Sequence, residues 1–412
     1  MYLKGSNWSM NRRRRRSNPL LIVAVLMGIA AMVYVNLVVI PETPPLFVPT
    51  ATPTRDPGMI AVEAADLFSK GKITQAMQAY EEAIRTNPKD QTNYIALARL
   101  QVFNGQLEAA TTNIQNAILL NRDNALAQAV LGWVLGLQGD YLQSEGAFTR
   151  ALELDPNNAL THAYYAEVLT LMAENNAGGL NVMDKAAEES RKAVQIDPNL
   201  LETRRARGIV LQATDNKEEA VVEFEAAVKL NNNIAELHLS LGDAYYVLER
   251  YTEAINEYIT ANSLNPQDPM PDYMISRTYA KAGEFPKAAQ YAEQAVADDP
   301  SDPFLHGNLG SMYYKTGELK KAITELRLAV RGGTTSEGVV VKGIPLDNTN
   351  RVIEFFSRYG LALAKDNQCD EAAQISQSIT QNLPDDETAL YNAGEMINIC
   401  QQNAGGRSTT AP

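Results

Sequence analysis

The chain has 412 residues, of which 45% are hydrophobic and 21% charged, and this composition excludes a wholly disordered protein. Its formal net charge is −13, yet the first 40 residues contain six of the 36 Lys and Arg and no Asp or Glu. The remainder therefore carries 30 basic against 49 acidic residues. Such acidity disfavours nucleic-acid binding outside the short basic N-terminal segment.

The N-terminal segment combines a basic tail, residues 1–19, with an apolar run of 21 uncharged residues, Leu20 to Ile40. As a helix this run spans about 31 Å, the thickness of the hydrocarbon core of a bilayer. The alternative is a cleaved signal peptide, whose apolar region has about 7–15 residues and ends in small residues. The run is longer and ends in Val38, Val39 and Ile40. We therefore interpret residues 20–40 as a transmembrane helix.

Five consecutive arginines, Arg12 to Arg16, flank the apolar run. They could form a patch for nucleic acid or anionic lipid. The positive-inside rule explains them more simply and predicts a cytoplasmic N-terminus. Everything after Pro41 is then outside the cytoplasm. No Asn-x-Ser/Thr site follows the apolar run, which fits a bacterial envelope. We predict a single-pass protein of the bacterial plasma membrane.

Residues 41–57 are rich in proline, reading PETPPLFVPTATPTRDP. Such a segment favours extended polyproline II over helix or sheet. At about 3.1 Å per residue, it holds the next domain up to about 50 Å from the membrane. We interpret it as a stalk, and the alternative is a proline-rich ligand for a signalling domain.

Beyond the stalk, small residues recur every 34 positions, as at Ala98, Gly132 and Ala166. Most are followed by another small residue twelve positions later, such as Ala110 after Ala98. Small residues let two helices approach closely at a crossing, and larger ones interdigitate around them. A proline such as Pro156 closes most units, because it cannot continue a helix. Each helix pair leaves an apolar face that only the next pair covers, so the units stack.

This pattern resembles the tetratricopeptide repeat family, as in the stretch LGWVLGLQGDYLQSEGAFTRALELDPNN. The resemblance covers residues 58–402. It implies an all-α, right-handed α-solenoid of about nine helix pairs, with a loop inserted at 331–350. A capping helix at about Thr388 to Gln402 follows, and we expect a disordered tail at 403–412. Within the loop, the two extended runs around Lys342-Gly343 predict either a hairpin that contacts a partner or a passive surface loop.

The chemistry-bearing residues give no sign of an active site. His162, His238 and His306 occupy the same position of different repeats. They are therefore more than about 20 Å apart and cannot share a metal ion, so we assign them structural roles. Nucleophile–base sets, phosphate-binding glycine loops and metalloprotease motifs are not found in the sequence. We predict a protein that is not an enzyme and uses no cofactor or metal.

The resemblance implies a concave wall formed by the first helix of each repeat, which in this family usually binds extended peptides or partner helices. Aromatic and arginine side chains there suit binding hot spots. By position in the repeat, this wall contains Arg99, Trp133, Asp243, Tyr246, Tyr273, Arg277, Lys281, Tyr314 and Lys315. The carboxylate-binding positions of chaperone adaptors hold Ala61, Ile95, Ala129 and Ala163 instead, so that clamp is absent.

We expect a membrane-anchored, extracytoplasmic scaffold that binds partner proteins on the concave face. The alternative is an assembly or chaperone-like accessory factor for an envelope polymer or secretion pathway. The repeat geometry also places the only two cysteines, Cys369 and Cys400, on one edge of adjacent helix layers. They form either a disulfide, which an oxidising compartment allows, or two unrelated buried thiols.

Overall fold

A computed structural model describes residues 18–39 and 56–407, which fall into two compact units divided between Arg55 and Asp56. The first described unit is helix α1 (Pro19–Tyr34), which continues as a π-helical turn (Val35–Val39). Its span Pro19–Val38 is long and apolar enough to cross a membrane. Residues 1–17 of the predicted basic tail, residues 40–55, which include most of the predicted stalk over 41–57, and the last residues, 408–412, lie outside the described residues. The end of the predicted stalk, Pro57, is the first residue of a helix.

The second unit consists of nine helix pairs and a final helix, which confirms the predicted all-α solenoid. Each pair is one repeat, and consecutive helices pack against each other. The repeats are, in order, α2 (Pro57–Ser69) and α3 (Ile73–Thr86), α4 (Gln91–Phe103) and α5 (Leu107–Leu120), α6 (Ala125–Leu137) and α7 (Tyr141–Leu154), α8 (Ala159–Glu174) and α9 (Val182–Ile196), α10 (Leu201–Ala213) and α11 (Lys217–Leu230), α12 (Ala235–Val247) and α13 (Tyr251–Leu264), α14 (Pro269–Lys281) and α15 (Phe285–Asp298), α16 (Pro303–Thr316) and α17 (Leu319–Arg331), and α18 (Asn350–Lys365) and α19 (Cys369–Asn382).

The final helix, α20 (Glu387–Arg407), packs against both α18 and α19. It begins one residue before the predicted start and runs beyond the predicted end at Gln402. The helix therefore includes residues 403–407, which the sequence assigned to the tail.

Small residues at the helix crossings explain why the two helices of a repeat approach so closely. A β-carbon added to Gly242 would lie 2.5 Å from the ring of Tyr258, and one added to Gly208 would lie 2.8 Å from the ring of Phe224. Both rings are almost fully buried. A larger residue at either glycine would therefore overpack the crossing and destabilise the repeat.

The loop after α17 contains a short antiparallel hairpin of β1 (Gly333–Thr334) and β2 (Val340–Val341). Its chain reversal lies between these strands, at residues 335–339, so the predicted turn at Lys342-Gly343 is wrong. Gly343 instead follows β2 and packs on the backbone after α17. A β-carbon there would lie 2.6 Å from the amide nitrogen of Gly332.

The end of this loop belongs to the hydrophobic core. The Ile344 amide donates a hydrogen bond to the Ala329 carbonyl at 2.8 Å, and the Ile344 and Val341 side chains are buried. Val341 and Ile344 therefore anchor the loop to the eighth repeat, and contact of the hairpin with a partner stays a prediction. Replacing residues 338–346 with a flexible linker would remove these contacts.

A disulfide joins the last two helices of the described chain. Cys369 is the first residue of α19 and Cys400 lies in α20, with a Cα–Cα distance of 5.6 Å and a sequence separation of 31. Because α20 has a neighbouring repeat on one side only, packing stabilises it less than it stabilises an internal helix. The disulfide adds a covalent link between α20 and α19.

We expect Cys400→Ser to lower the free energy of unfolding by about 3–4 kcal/mol, because the bridge restricts the unfolded chain. Urea unfolding of the oxidised protein and of the variant measures this difference. Reductant should destabilise the wild type and leave the variant unchanged. If reductant leaves the wild type as stable as before, the bridge does not hold α20.

Candidate functional site: the concave wall of the solenoid

The structure separates the nine predicted wall residues into two groups. Two lie in the second and third repeats, and the other seven lie in repeats six to eight. The first group is Arg99 on α4 and Trp133 on α6. The second group is Asp243 and Tyr246 on α12, Tyr273, Arg277 and Lys281 on α14, and Tyr314 and Lys315 on α16.

The wall of the early repeats is filled by a row of aromatic rings. Phe103 meets the edge of Trp133 at a centroid distance of 5.5 Å, and Trp133 stacks on Tyr164 at 4.3 Å. The indole nitrogen of Trp133 donates to Glu167 at 3.0 Å. Only 1% of Trp133 is exposed, so its predicted role as a groove contact is wrong. It is a core residue that joins the third and fourth repeats.

Two arginines, Arg99 and Arg205, lie against these rings. With their partners they form what we term the polar cluster, which consists of Arg99, Tyr164, Glu167, Glu202 and Arg205. Arg99 donates to the Tyr164 hydroxyl at 2.9 Å and pairs with Glu202, which comes from the fifth repeat. Arg205 pairs with Glu167 at 2.6 Å. The polar cluster therefore ties together repeats two, four and five across the concave side.

Burial disfavours the charged forms of Arg205 and Glu167, and the ion pair between them favours these forms. Burial disfavours the charge of Arg205, but the pKa of Arg205 is raised because Glu167 and Glu236 lie beside it. Burial also raises the pKa of Glu167, and Arg205 only partly offsets this effect. Each charge is therefore tolerated in the interior because of its partner.

The first repeat also contacts the sixth. A β-carbon added to Gly71, in the turn between α2 and α3, would lie 2.1 Å from the Asn233 carbonyl oxygen. The Asn233 amide donates to the Ser69 carbonyl at 3.4 Å, and Phe68 packs near Ile234. Beside the polar cluster, a pocket of 530 Å³ remains open, and its lining includes Phe103, Trp133, Arg205 and Glu236.

The later repeats form another open pocket, of 340 Å³, which we term the C-terminal pocket. Every lining residue except Phe285 lies on the first helix of its repeat. Four of the predicted wall residues line it, namely Tyr246, Arg277, Lys281 and Lys315. The repeat pattern did not predict the other lining residues, which are Ala280, Phe285, Asn308, Ser311, Met312, Arg351, Glu354, Phe355 and Arg358.

The other three predicted residues lie beside this pocket without lining it. Tyr273 is buried and accepts a hydrogen bond from Arg351. Tyr314 accepts from the Lys365 ammonium at 2.8 Å. Asp243 accepts from the hydroxyl of Tyr258 at 2.7 Å, and burial raises the pKa of Asp243 to about 6.

Five basic side chains and one carboxylate line the C-terminal pocket. The carboxylate, Glu354, pairs with Arg358. Burial lowers the pKa of both Arg351 and Arg358, which means that the surroundings do not fully compensate their charges. In a chain of net charge −13, this pocket is a local concentration of positive charge.

The three histidines pair with glutamates of the second helices. His306 is representative: its Nδ1 lies 2.6 Å from Glu325 Oε2 and its Nε2 lies 3.0 Å from the Pro300 carbonyl oxygen. Both ring nitrogens thus face acceptors, an arrangement that suits the doubly protonated ring. Burial opposes the charge, but the hydrogen bonds to Glu325 and Pro300 outweigh it, and the pKa of His306 is raised.

Because the histidine pKa is higher in the folded than in the unfolded protein, protonation stabilises the fold. This stabilisation is fully present below the pKa of the unfolded state, about 6.5, and is lost as pH rises through the pKa of the folded state. The free energy of unfolding of the wild type should therefore fall as pH rises from about 6.5 through the pKa of folded His306. We expect a smaller fall in His306→Gln, which lacks this titrating group. Urea unfolding of both proteins at a series of pH values measures the decline. Identical pH dependence in the two proteins would mean that folding does not raise the pKa of His306.

Comparison with known proteins agrees with this architecture. Tetratricopeptide repeat family models match residues 67–134, 205–269 and 273–337. BBSome complex member BBS4 of Bos taurus is 27% identical over 161 residues, which cover 39% of this chain and 29% of that protein. The DnaJ homolog subfamily C member 7 homolog of Schizosaccharomyces pombe is 25% identical over 162 residues, covering 36% of this chain and 33% of that protein.

The matched regions thus span a third or less of the length of these two relatives. A solved structure from the functional characterization of Pseudomonas aeruginosa pilF has 21% identity and a TM-score of 0.37, covering 51% of this chain and 92% of that one. The repeat pattern, the nine stacked helix pairs and the family matches lead to one conclusion. The chain contains tetratricopeptide repeats and an N-terminal helix long and apolar enough to span a membrane.

Proposed function

We propose that this protein is a membrane-anchored scaffold outside the cytoplasm that binds a segment of a partner protein in the C-terminal pocket. The tetratricopeptide repeat fold is typical of non-catalytic protein binding. The observation that carries the proposal is the contrast along the concave wall. In the early repeats Trp133 is buried and the charges of the polar cluster pair with each other, whereas the later repeats leave Tyr246, Lys281 and Lys315 accessible.

Three features support the location. Helix α1 has the length and apolar character of an anchor, and the basic residues Arg12 to Arg16 precede it. By the positive-inside rule, the repeats are then outside the cytoplasm. The disulfide between Cys369 and Cys400 suits an oxidising compartment such as the bacterial periplasm.

Protease added to intact spheroplasts tests this topology. We expect the repeats to be digested without lysis, because the proposed orientation exposes them on the outer surface. A cytoplasmic protein serves as the control and should stay protected. If the repeats are digested only after lysis, the proposed orientation is wrong.

Purification from crosslinked membranes tests the binding function. We expect the wild type to retain a stoichiometric partner and Tyr246→Ala to lose much of it, because Tyr246 lines the pocket. The matched control is Tyr391→Ala, which removes an exposed tyrosine on α20, outside the pocket. Many substoichiometric clients with equal recovery in all three proteins would favour an assembly or chaperone-like factor.

A further inference from the structure

We infer that the C-terminal pocket recognises an acidic segment of the partner, whose carboxylates pair with the basic side chains from α14, α16 and α18. This inference rests on the proposed function and adds the chemical class of the ligand. It is carried by three observations: unpaired cations, carboxylates that are already engaged, and a buried hydroxyl without a partner.

The cations of the pocket lack carboxylate partners to an unusual degree. Lys281 and Lys315 are exposed, and neither forms an ion pair with any residue described in the structure. Lys315 lies over the ring of Phe285 at 5.6 Å. Arg277 lies 5.7 Å from the ring centres of both Tyr246 and Tyr273, and it too has no ion pair within the described residues. The aromatic rings thus contact Arg277 and Lys315 without neutralising their charges.

The two carboxylates nearest to these cations are already in use. Glu354 pairs with Arg358, and Asp243 accepts the hydrogen bond from Tyr258. Arg351 lies 5.2 Å from the ring centre of Tyr273 and donates to its hydroxyl. Because Arg351 is also partly buried, a ligand carboxylate would meet a poorly hydrated cation, where ion pairs are stronger than at an open surface.

A buried hydroxyl in the pocket lacks a hydrogen-bond partner. Ser311 lines the pocket and is 1% exposed, and its Oγ forms no hydrogen bond to any described residue. A buried polar group without a partner costs about 1–3 kcal/mol, so an acceptor at this position would be stabilising. A ligand carboxylate or carbonyl oxygen supplies such an acceptor.

The surroundings favour an acidic protein segment over a nucleic acid. Outside the first 40 residues, the chain carries 49 acidic against 30 basic residues, which repel an extended phosphate backbone. The positive charge is confined to a pocket of 340 Å³, the size for a few side chains.

Fluorescence anisotropy tests the inference on the full chain in detergent. The probes are a labelled peptide of alternating glutamate and alanine and its glutamine counterpart. We expect the glutamate peptide alone to bind, with an affinity that falls as NaCl is added. Lys281→Glu combined with Lys315→Glu should weaken binding by about tenfold or more, because each reversal replaces attraction with repulsion.

The matched control combines Lys229→Glu with Lys320→Glu, which changes the net charge equally at exposed sites on the second helices α11 and α17. We expect it to bind the peptide like the wild type. Equal binding of both peptides, equal loss in both double variants, or tighter binding of single-stranded DNA would each overturn the inference. If the peptide fails while Tyr246→Ala still loses the membrane partner, the scaffold function stands and only the acidic chemistry is wrong.

Discussion

Trp133→Ala should lower the free energy of unfolding by about 3–5 kcal/mol, the range for removing a large buried aromatic side chain. The indole stacks on Tyr164 and meets Phe103, so its loss opens a cavity between the third and fourth repeats. It also removes the donor at 3.0 Å from the buried Glu167 carboxylate. Urea unfolding followed by circular dichroism measures the effect.

The comparison variant is Tyr246→Ala. Tyr246 is only partly buried and lines the open C-terminal pocket, so we expect a loss of about 1 kcal/mol or less. Comparable losses in the two variants would contradict the assignment of Trp133 to the core and of Tyr246 to the open pocket.

Arg205→Met should cost about 3–5 kcal/mol at neutral pH, because it leaves the Glu167 carboxylate buried without its cation. Without Arg205 the pKa of Glu167 rises further, since burial already raises it. Glu167 therefore binds a proton more readily as pH falls, and the loss should shrink at acid pH. Urea unfolding of the variant and wild type at neutral and acid pH measures this change.

The control for Arg205→Met is the double variant with Glu167→Leu, which removes both charges. We expect it to be markedly more stable than the single variant, because an apolar pair often replaces a buried ion pair at little cost. If the double variant is as unstable as the sum of the two single variants, the two side chains are not coupled.

Local pattern predicted the helices well, since each depends on contacts within one or two repeats. Gly208 and Gly242 are small because an aromatic side chain of the same repeat packs directly against them. The glycine pattern likewise indicates the turn between the two helices of a repeat. Gly105, Gly139, Gly283 and Gly317 lie in these turns, and all four have positive φ, a conformation that favours glycine.

The 34-residue pattern does not predict contacts between repeats that are distant in the sequence. Arg99 and Glu202 are 103 residues apart, and they meet only because small rotations between repeats accumulate along the solenoid. For this reason the sequence assigned Trp133 to an open wall, although in the structure it is buried against Tyr164 and Glu167 of the fourth repeat.

The pocket was only partly predicted for a related reason. Arg351 and Arg358 follow the inserted loop, and α18 has 16 residues where α14 has 13. Arg351 lies in the first turn of this longer helix, before the positions that the 34-residue period defines. The repeat of basic residues on successive first helices, Arg277 and Lys315 among them, was the signal that pointed to this region.

Site-specific photocrosslinking in native membranes tests the central claim most directly. A photoreactive amino acid replaces Lys281 in the C-terminal pocket, and another replaces Lys229 on the outer helix α11, both at exposed positions. We expect a discrete crosslinked partner from position 281 and none from position 229. A partner that crosslinks from position 229 alone, or equally from both positions, would contradict binding in the pocket.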